Sequence, residues 1–181
     1  IDGVNIREID KDALRQAIGQ VQQDVFIFTG DIKGNISLGS EDISQEEIER
    51  AAHIVNADSF INKMPNGFDE PVTERGSTLS AGQRQLLSFA RTLAYQPTIL
   101  VLDEATANID TETESLITEA LEKLMEGRTT IMVAHRLSTI QHADKIIVMH
   151  KGEIRESGSH QELLQLGGMY KKLYDLQLAE A

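Results

Sequence analysis

Short apolar runs along the chain predict the strands of a sheet. These runs are rich in Val, Ile and Leu, mostly lack an alternating polar face, and are bounded by Gly, Pro or charged residues. Strands are expected at 18–21, 98–102, 129–134, 145–150 and 153–156, with a short extended segment at 1–6 that turns at Asp2 and Gly3. Because helical segments separate most of these strands, the pattern predicts an α/β fold with a mostly parallel sheet covered on both faces.

The helices are indicated by apolar spacing and by N-terminal capping residues. Ser44, Ser80 and Ser159 each precede a Glu or Gln by three residues, a pair typical of a capping box. The helix after Ser80 carries a broad apolar stripe and is expected to end before Pro97. Other helical segments are expected near 10, at 58–64 and at 111–125.

Composition narrows the class of protein. The 181 residues include 17 Lys and Arg against 29 Asp and Glu, a net charge of −12, and contain no Cys. These values fit one soluble globular domain, and the negative charge opposes binding to a nucleic-acid backbone. Disulfides, thiolate metal sites and Cys nucleophiles are excluded. No apolar run approaches the roughly 20 residues that a membrane-spanning helix needs.

The first candidate site is the pair of acids at the end of the run ILVLDE, residues 99–104. Acids directly after an apolar strand emerge at the carboxyl edge of the sheet, where open α/β folds bind ligands. Asp103 suits Mg²⁺, and Glu104 is placed to orient or deprotonate a water molecule that attacks phosphorus. The alternative is that both acids are solvated turn residues.

The second candidate site is LSAGQ, residues 79–83, at the start of the buried helix. A helix N-terminus presents unpaired N–H groups and a partial positive charge, so it suits a phosphate. Gly82 lets the phosphate approach the backbone, and Ser80 adds a hydroxyl donor. The alternative is a plain capping box with a glycine in the first turn.

Together these residues resemble a known family. The run LSAGQRQLLSFARTLAYQPTILVLDEATANID resembles the signature motif, Walker B strand, catalytic Glu and D-loop of an ATP-binding cassette (ABC) exporter ATPase. The resemblance implies a partial P-loop NTPase-type core with an α-helical subdomain. It places the core up to the Q-loop at 1–23, the helical subdomain with the X-loop and signature at 24–96, and the rest of the core at 97–181.

The resemblance also implies roles for individual residues. Glu104 and His135 are implied to be catalytic, and Asp103 and Gln23 to hold Mg²⁺. The residues implied to contact ATP are Gln23, Leu79, Ser80, Gly82, Gln83 and Asp110. The implied partners are a second nucleotide-binding domain, which completes each ATP site head to tail, and the transmembrane domain, contacted through the Q-loop and through Glu74, Arg75 and Gly76. Nucleic acid is not an expected partner.

The sequence departs from the family's pattern at several positions. It has no Gly-Lys pair and hence no GxxxxGK[ST] phosphate loop, so we expect the C-terminal portion of a nucleotide-binding domain that is inactive alone. Ala81 replaces a usual Gly, and Ala107 replaces a usual Ser in the D-loop. This mixture resembles one subunit of the heterodimeric multidrug exporters.

The expected function is therefore ATP hydrolysis that drives export, at the cytoplasmic face of the cell membrane. A soluble ABC ATPase acting on DNA or ribosomes is a rival, disfavoured by the net charge and by the exporter-like TERG at 73–76. A third possibility is a non-catalytic module that lends its signature segment to an intact partner. The other four histidines show no ligand-like spacing and are expected to be surface or packing residues: His53, His142, His150 and His160.

Overall fold

A computed structural model describes residues 1–22, 24–103, 111–133 and 140–180. The chain divides into two compact units, Ile1–Met132 and Val133–Ala181. Among the described residues, no helix has the length and apolar character needed to cross a lipid bilayer.

The first unit is built around a three-stranded sheet. Its strands are β1 (Ile18–Val21), β4 (Ile99–Asp103) and β5 (Thr129–Val133), and β4 lies in the centre. β1 and β4 are parallel, with Ile18 beside Ile99 and Val21 beside Leu102. Parallel neighbours need a long crossover connection, and here the crossover contains most of the helices. The predicted α/β class is confirmed.

Helices and a small antiparallel strand pair make up the rest of this unit. The α-helices are α1 (Lys11–Ala17), α2 (Ile32–Ser37), α3 (Gln45–Ile54), α4 (Asp58–Ile61), α5 (Ala81–Ala94) and α6 (Thr111–Met125). Two 3₁₀ turns cover Gly67–Asp69 and Glu74–Gly76, and β2 (Gly30–Asp31) pairs antiparallel with β3 (Pro71–Val72). The helices after Ser44 and Ser80 begin where the capping boxes predict, and both reciprocal side-chain bonds are formed.

The core of the first unit is centred on α5, which packs against α2, α3 and α6. Ten of its 14 residues are buried, from Gly82 to Ala94. The central strand contributes Leu100 and Leu102, and α6 contributes Ile117, Ala120 and Leu124. Burial of this apolar surface is the main stabilising contribution to this unit.

Several local expectations were wrong. The predicted turn at Asp2 and Gly3 is present, and Val4 N–H donates to the Ile1 carbonyl at 2.8 Å, but the rest of residues 1–9 also turns and is not extended. The helix expected at 58–64 ends at Ile61. Ile131 and Val133 of β5 are 60% and 56% exposed. α2 and the β2–β3 strand pair were not expected.

From residue 146 on, the described part of the second unit is a hairpin followed by two helices. β6 (Ile146–His150) pairs antiparallel with β7 (Glu153–Gly158), and α7 (His160–Leu166) and α8 (Met169–Glu180) follow. The predicted cap at Ser159 is confirmed. The Glu156 carboxylate accepts hydrogen bonds from the Met169 and Tyr170 N–H groups, at 2.5 and 2.9 Å. These bonds satisfy free donors at the start of α8.

Candidate functional site

The segment 79–83 forms a fixed helix N-terminus. Ser80 is the exposed N-cap of α5, and its Oγ accepts a hydrogen bond from the Gln83 N–H at 3.1 Å. The Gln83 Oε1 accepts in return from the Ser80 N–H at 2.9 Å. Because the Ser80 hydroxyl acts as an acceptor in the cap, this bond does not use its proton. The segment therefore presents a hydroxyl donor beside the positive end of a 14-residue helix.

The residues just before Ser80 tie this N-terminus to the preceding 3₁₀ turn. Leu79 is buried, its N–H donates to the Gly76 carbonyl at 2.9 Å, and its carbonyl accepts from Arg84 Nη1 at 2.6 Å. Arg75 and Gly76 both have φ near 60°, and a Cβ on Gly76 would lie 3.2 Å from Ile27. Glycine therefore suits position 76 for both conformation and space. The structure brings the predicted X-loop residues and signature residues together through backbone contacts.

Asp103 lies on another element, at the carboxyl end of β4. It follows Leu102, the partner of Val21 at the end of β1, and its side chain is exposed. The Thr129 N–H donates to the Thr98 carbonyl at 3.2 Å, so β5 begins beside the start of β4. The carboxyl ends of the three strands therefore lie at one edge of the sheet. Ligands bind at this edge in open α/β folds.

The other predicted site residues follow these strand ends along the chain. Gln23 comes two residues after β1, Glu104 directly follows β4, and His135 comes two residues after β5. Asp110 directly precedes α6. All four lie outside the residues that the structure describes, so their contacts remain predictions.

One cluster of hydrogen bonds, which holds the segment 26–31, was not predicted from the sequence. Asn35 of α2 is 2% exposed, and its side chain bonds the backbone N–H and carbonyl of Phe28 at 2.8 and 2.9 Å and the Asp31 carbonyl at 2.9 Å. Arg91 of α5 donates to the carbonyls of Asn35 and Phe26, at 2.8 and 3.1 Å. These bonds hold the segment 26–31, which lies three residues after Gln23.

Arg91 is itself held in a partly buried position. Its guanidinium lies 5.7 Å from the centre of the Phe28 ring, a cation–π distance. Burial lowers the pKa of Arg91 below its ordinary value, and the nearby Tyr95 partly opposes that shift. The sequence signal for this role was a charged residue within the otherwise apolar stripe of α5.

A cleft elsewhere in the first unit is lined in part by charged side chains that are already paired. This cleft of about 430 Å³ is lined by residues of α3, α5 and α6 and by residues just beyond these helices. Its His53 pairs with Asp58 at 2.7 Å, its Lys123 with Glu119 at 2.8 Å, and its Arg128 with backbone carbonyls. In the part of the chain that the structure describes, no three His or acidic side chains form a cluster able to hold a metal ion.

Known proteins are similar to this chain in sequence and in structure. Residues 1–107 match the family described as ABC transporter. A Streptococcus pneumoniae serotype 4 protein named as an ABC transporter ATP-binding protein is 58% identical over 177 residues, covering 98% of this chain and 30% of its own length. A second relative is the Bacillus subtilis strain 168 protein named "Probable multidrug resistance ABC transporter ATP-binding/permease protein YheH". It is 52% identical over 177 residues, which cover 98% of this chain and 26% of its own length.

A solved structure agrees with these sequence matches. The structure of a bacterial Atm1-family ABC exporter with ATP bound superposes with a TM-score of 0.87 at 41% identity. The match covers 98% of this chain and 31% of that exporter. The chain thus spans about a third or less of the length of these relatives. By its sequence and its fold, the chain belongs to the ABC transporter family.

Proposed function

We propose that this chain forms part of the ATP-hydrolysing nucleotide-binding domain of an ABC exporter at the cytoplasmic face of the cell membrane. The observation that carries the proposal is the capped N-terminus of α5 in the segment 79–83, in a chain that belongs to the ABC transporter family. The exposed carboxylate of Asp103 at the sheet edge supports it. The names of the relatives favour export, including multidrug export, as the work that hydrolysis drives.

In this proposal two nucleotide-binding domains bind ATP head to tail. Ser80, Gly82 and Gln83 of one domain face the γ-phosphate that the other domain holds, and Leu79 positions them from the core. The helix N-terminus and the Ser80 hydroxyl supply donors to an anion that gains charge in the transition state. The site is complete only when both domains meet, so ATP binding favours their association.

The opposite half of the site lies at the carboxyl edge of the sheet. Glu104 polarises the attacking water, His135 contacts the γ-phosphate, and Asp110 couples the two ATP sites across the domain interface. Gln23 contacts the metal and the attacking water. These roles follow the family resemblance and the sequence positions of Gln23, Glu104 and His135 within two residues of a strand's end.

The residues at this edge fit Mg²⁺. This ion is usually held by one or two carboxylates together with phosphate oxygens and water. Asp103 offers one exposed carboxylate at the end of β4, and Gln23, two residues after β1 in the sequence, would add an amide oxygen. The bound ion would neutralise charge on the phosphates.

The transmembrane domain is the second partner. We assign its contacts to Gln23 and to the 3₁₀ turn Glu74–Gly76, which is backbone-bonded to the signature segment through Leu79. A displacement of that turn would be transmitted to Ser80. The proposed division of the chain is core at 1–23, helical subdomain at 24–96 and core at 97–181.

Glu104→Gln in the full-length transporter tests the proposal. The amide keeps the shape of the carboxylate but cannot accept a proton, so ATP hydrolysis should fall by about 100-fold or more while nucleotide binding is kept. Turnover and bound nucleotide are measured on the same purified protein. Glu126→Gln, at an exposed position after α6, is the matched control and should leave turnover unchanged. Full activity in Glu104→Gln would remove Glu104 from the reaction.

A further inference from the structure

Gly82 has a structural reason to be glycine that is independent of any phosphate. It is buried in the first turn of α5, two residues after Ser80. A Cβ at position 82 would lie 2.0 Å from Thr113 Cγ2 and 3.7 Å from Ile117 Cδ1, both on α6. Two carbon atoms cannot lie 2.0 Å apart without covalent bonding, so the Thr113 methyl group fills the space of a side chain at position 82.

Thr113 belongs to the face of α6 that packs on the core. It lies four residues before Ile117, and the buried residues Ala120 and Leu124 continue the same stripe at helical spacing. Thr113 is also in the first turn of α6, which begins directly after Asp110. The contact between Gly82 and Thr113 therefore joins the first turns of two helices that both follow predicted ATP-site segments.

We propose that Thr113 is a positioning residue for the ATP site. Its methyl group, packed on Gly82, sets the spacing between Ser80 at the start of α5 and the first turn of α6. The inference rests on the proposed function, because it assigns the effect of the spacing to ATP turnover. Packed interiors pass small displacements on to neighbouring groups, and a shift of about 1 Å in a catalytic group can reduce a rate about 100-fold.

A methyl-transfer experiment in the full-length transporter tests this assignment. Gly82→Ala adds a methyl group to α5, and Thr113→Ser removes the facing methyl group from α6 while keeping the hydroxyl. We expect Gly82→Ala to lower kcat per folded molecule between about 10-fold and 100-fold, and Thr113→Ser alone to lower it about threefold. The double variant should recover to within about threefold of the wild type, because contacting sites are not additive.

The control removes a methyl group elsewhere on the same helix. Thr118 is exposed on α6, and its hydroxyl donates to the Glu114 carbonyl at 3.0 Å. Thr118→Ser alone should match the wild type, and combined with Gly82→Ala it should give no recovery. Recovery with Thr118→Ser would show a general effect of loosening α6 and would overturn the specific contact.

The remaining outcomes also decide the proposal. A double variant as impaired as Gly82→Ala would mean that the added methyl group acts on the ligand, and the positioning role would be wrong. Unchanged kcat per folded molecule in Gly82→Ala, with only a lower melting temperature, would reduce the contact to stability alone. If Gly82→Ala yields no folded transporter, Thr113→Ser must restore folding in the double variant, and failure to restore it overturns the proposal.

Failure of the proposed function gives a different result. If Glu104→Gln leaves the ATP turnover of the full-length transporter unchanged, the proposed ATP-site roles are wrong. The recovery of melting temperature by Thr113→Ser would still be measurable in that case. The two failures are therefore distinguishable from one set of purified variants.

Discussion

Replacing Asn35 by Ala should release the segment 26–31 from the helices behind it. The Asn35 side chain is 2% exposed and makes three hydrogen bonds, at 2.8 to 2.9 Å, to the backbone of Phe28 and Asp31. Alanine leaves these backbone groups without that partner. Phe26 and Phe28 are themselves 54% and 50% exposed, so apolar burial of their rings contributes little to holding the segment.

The expected effect follows from the number of bonds lost. A neutral hydrogen bond contributes about 1 kcal/mol net, so losing three should lower the free energy of local opening by about 3 kcal/mol. Since a factor of ten corresponds to about 1.4 kcal/mol, amide exchange limited by this opening should accelerate by about 100-fold.

Hydrogen–deuterium exchange of the full-length transporter measures this opening directly. The peptide containing 26–31 should exchange faster in Asn35→Ala, whereas a peptide from α6 should exchange at the wild-type rate. The control is Asn66→Ala, because Asn66 is exposed and bonds the Glu70 carboxylate at 3.0 Å. Asn66→Ala should change the free energy of local opening of 26–31 by no more than about 0.5 kcal/mol. Wild-type exchange of 26–31 in Asn35→Ala would show that the burial of Ile27 and the Arg91 bond to the Phe26 carbonyl, and not Asn35, hold the segment.

Two further predictions concern the helix caps. Ser80→Ala should reduce nucleotide trapping at the site that carries the partner's phosphate loop and spare the site that carries Glu104. Trapped nucleotide is measured separately at the two sites, and a thermal melt controls for stability. Loss of trapping at the Glu104 site would refute the composite site. Hydrogen bonds from the Ser44 N–H and hydroxyl hold the pKa of Glu47 below its ordinary value. These bonds therefore stabilise α3 fully when the pH is above the ordinary pKa of Glu47, and the stabilisation is lost as the pH falls through the lowered pKa. A pH series of amide exchange in α3 should show this loss in the wild type and not in Glu47→Gln.

Elements that depend on neighbours in the sequence could be predicted with their boundaries. The strand Ile18–Val21 and the helix Thr111–Met125 occur at the predicted residues, and Ser44 and Ser80 cap the helices expected after them. Capping needs a side chain and an N–H three residues apart, and helical spacing needs a few turns. Both are local properties.

α2 shows where local reasoning failed. Its sequence IKGNIS contains a glycine and few strong helix formers, so its intrinsic helix propensity is low. It is helical because Asp31 caps it and because Ile32, Asn35 and Ile36 are buried against the core. Tertiary packing overrides propensity in such a short segment.

The sequence by itself determined the family, the helix N-terminus at Ser80 and the position of Asp103 at the end of an apolar strand. Only the tertiary structure revealed that Asn35 and Arg91, 56 residues apart, hold the segment after Gln23, and that the Thr113 methyl group occupies the side-chain space of Gly82. The physical reason is that caps and periodicity are set by residues within one or two turns. Space and hydrogen-bond partners in a packed interior are set by residues that meet only when the chain folds.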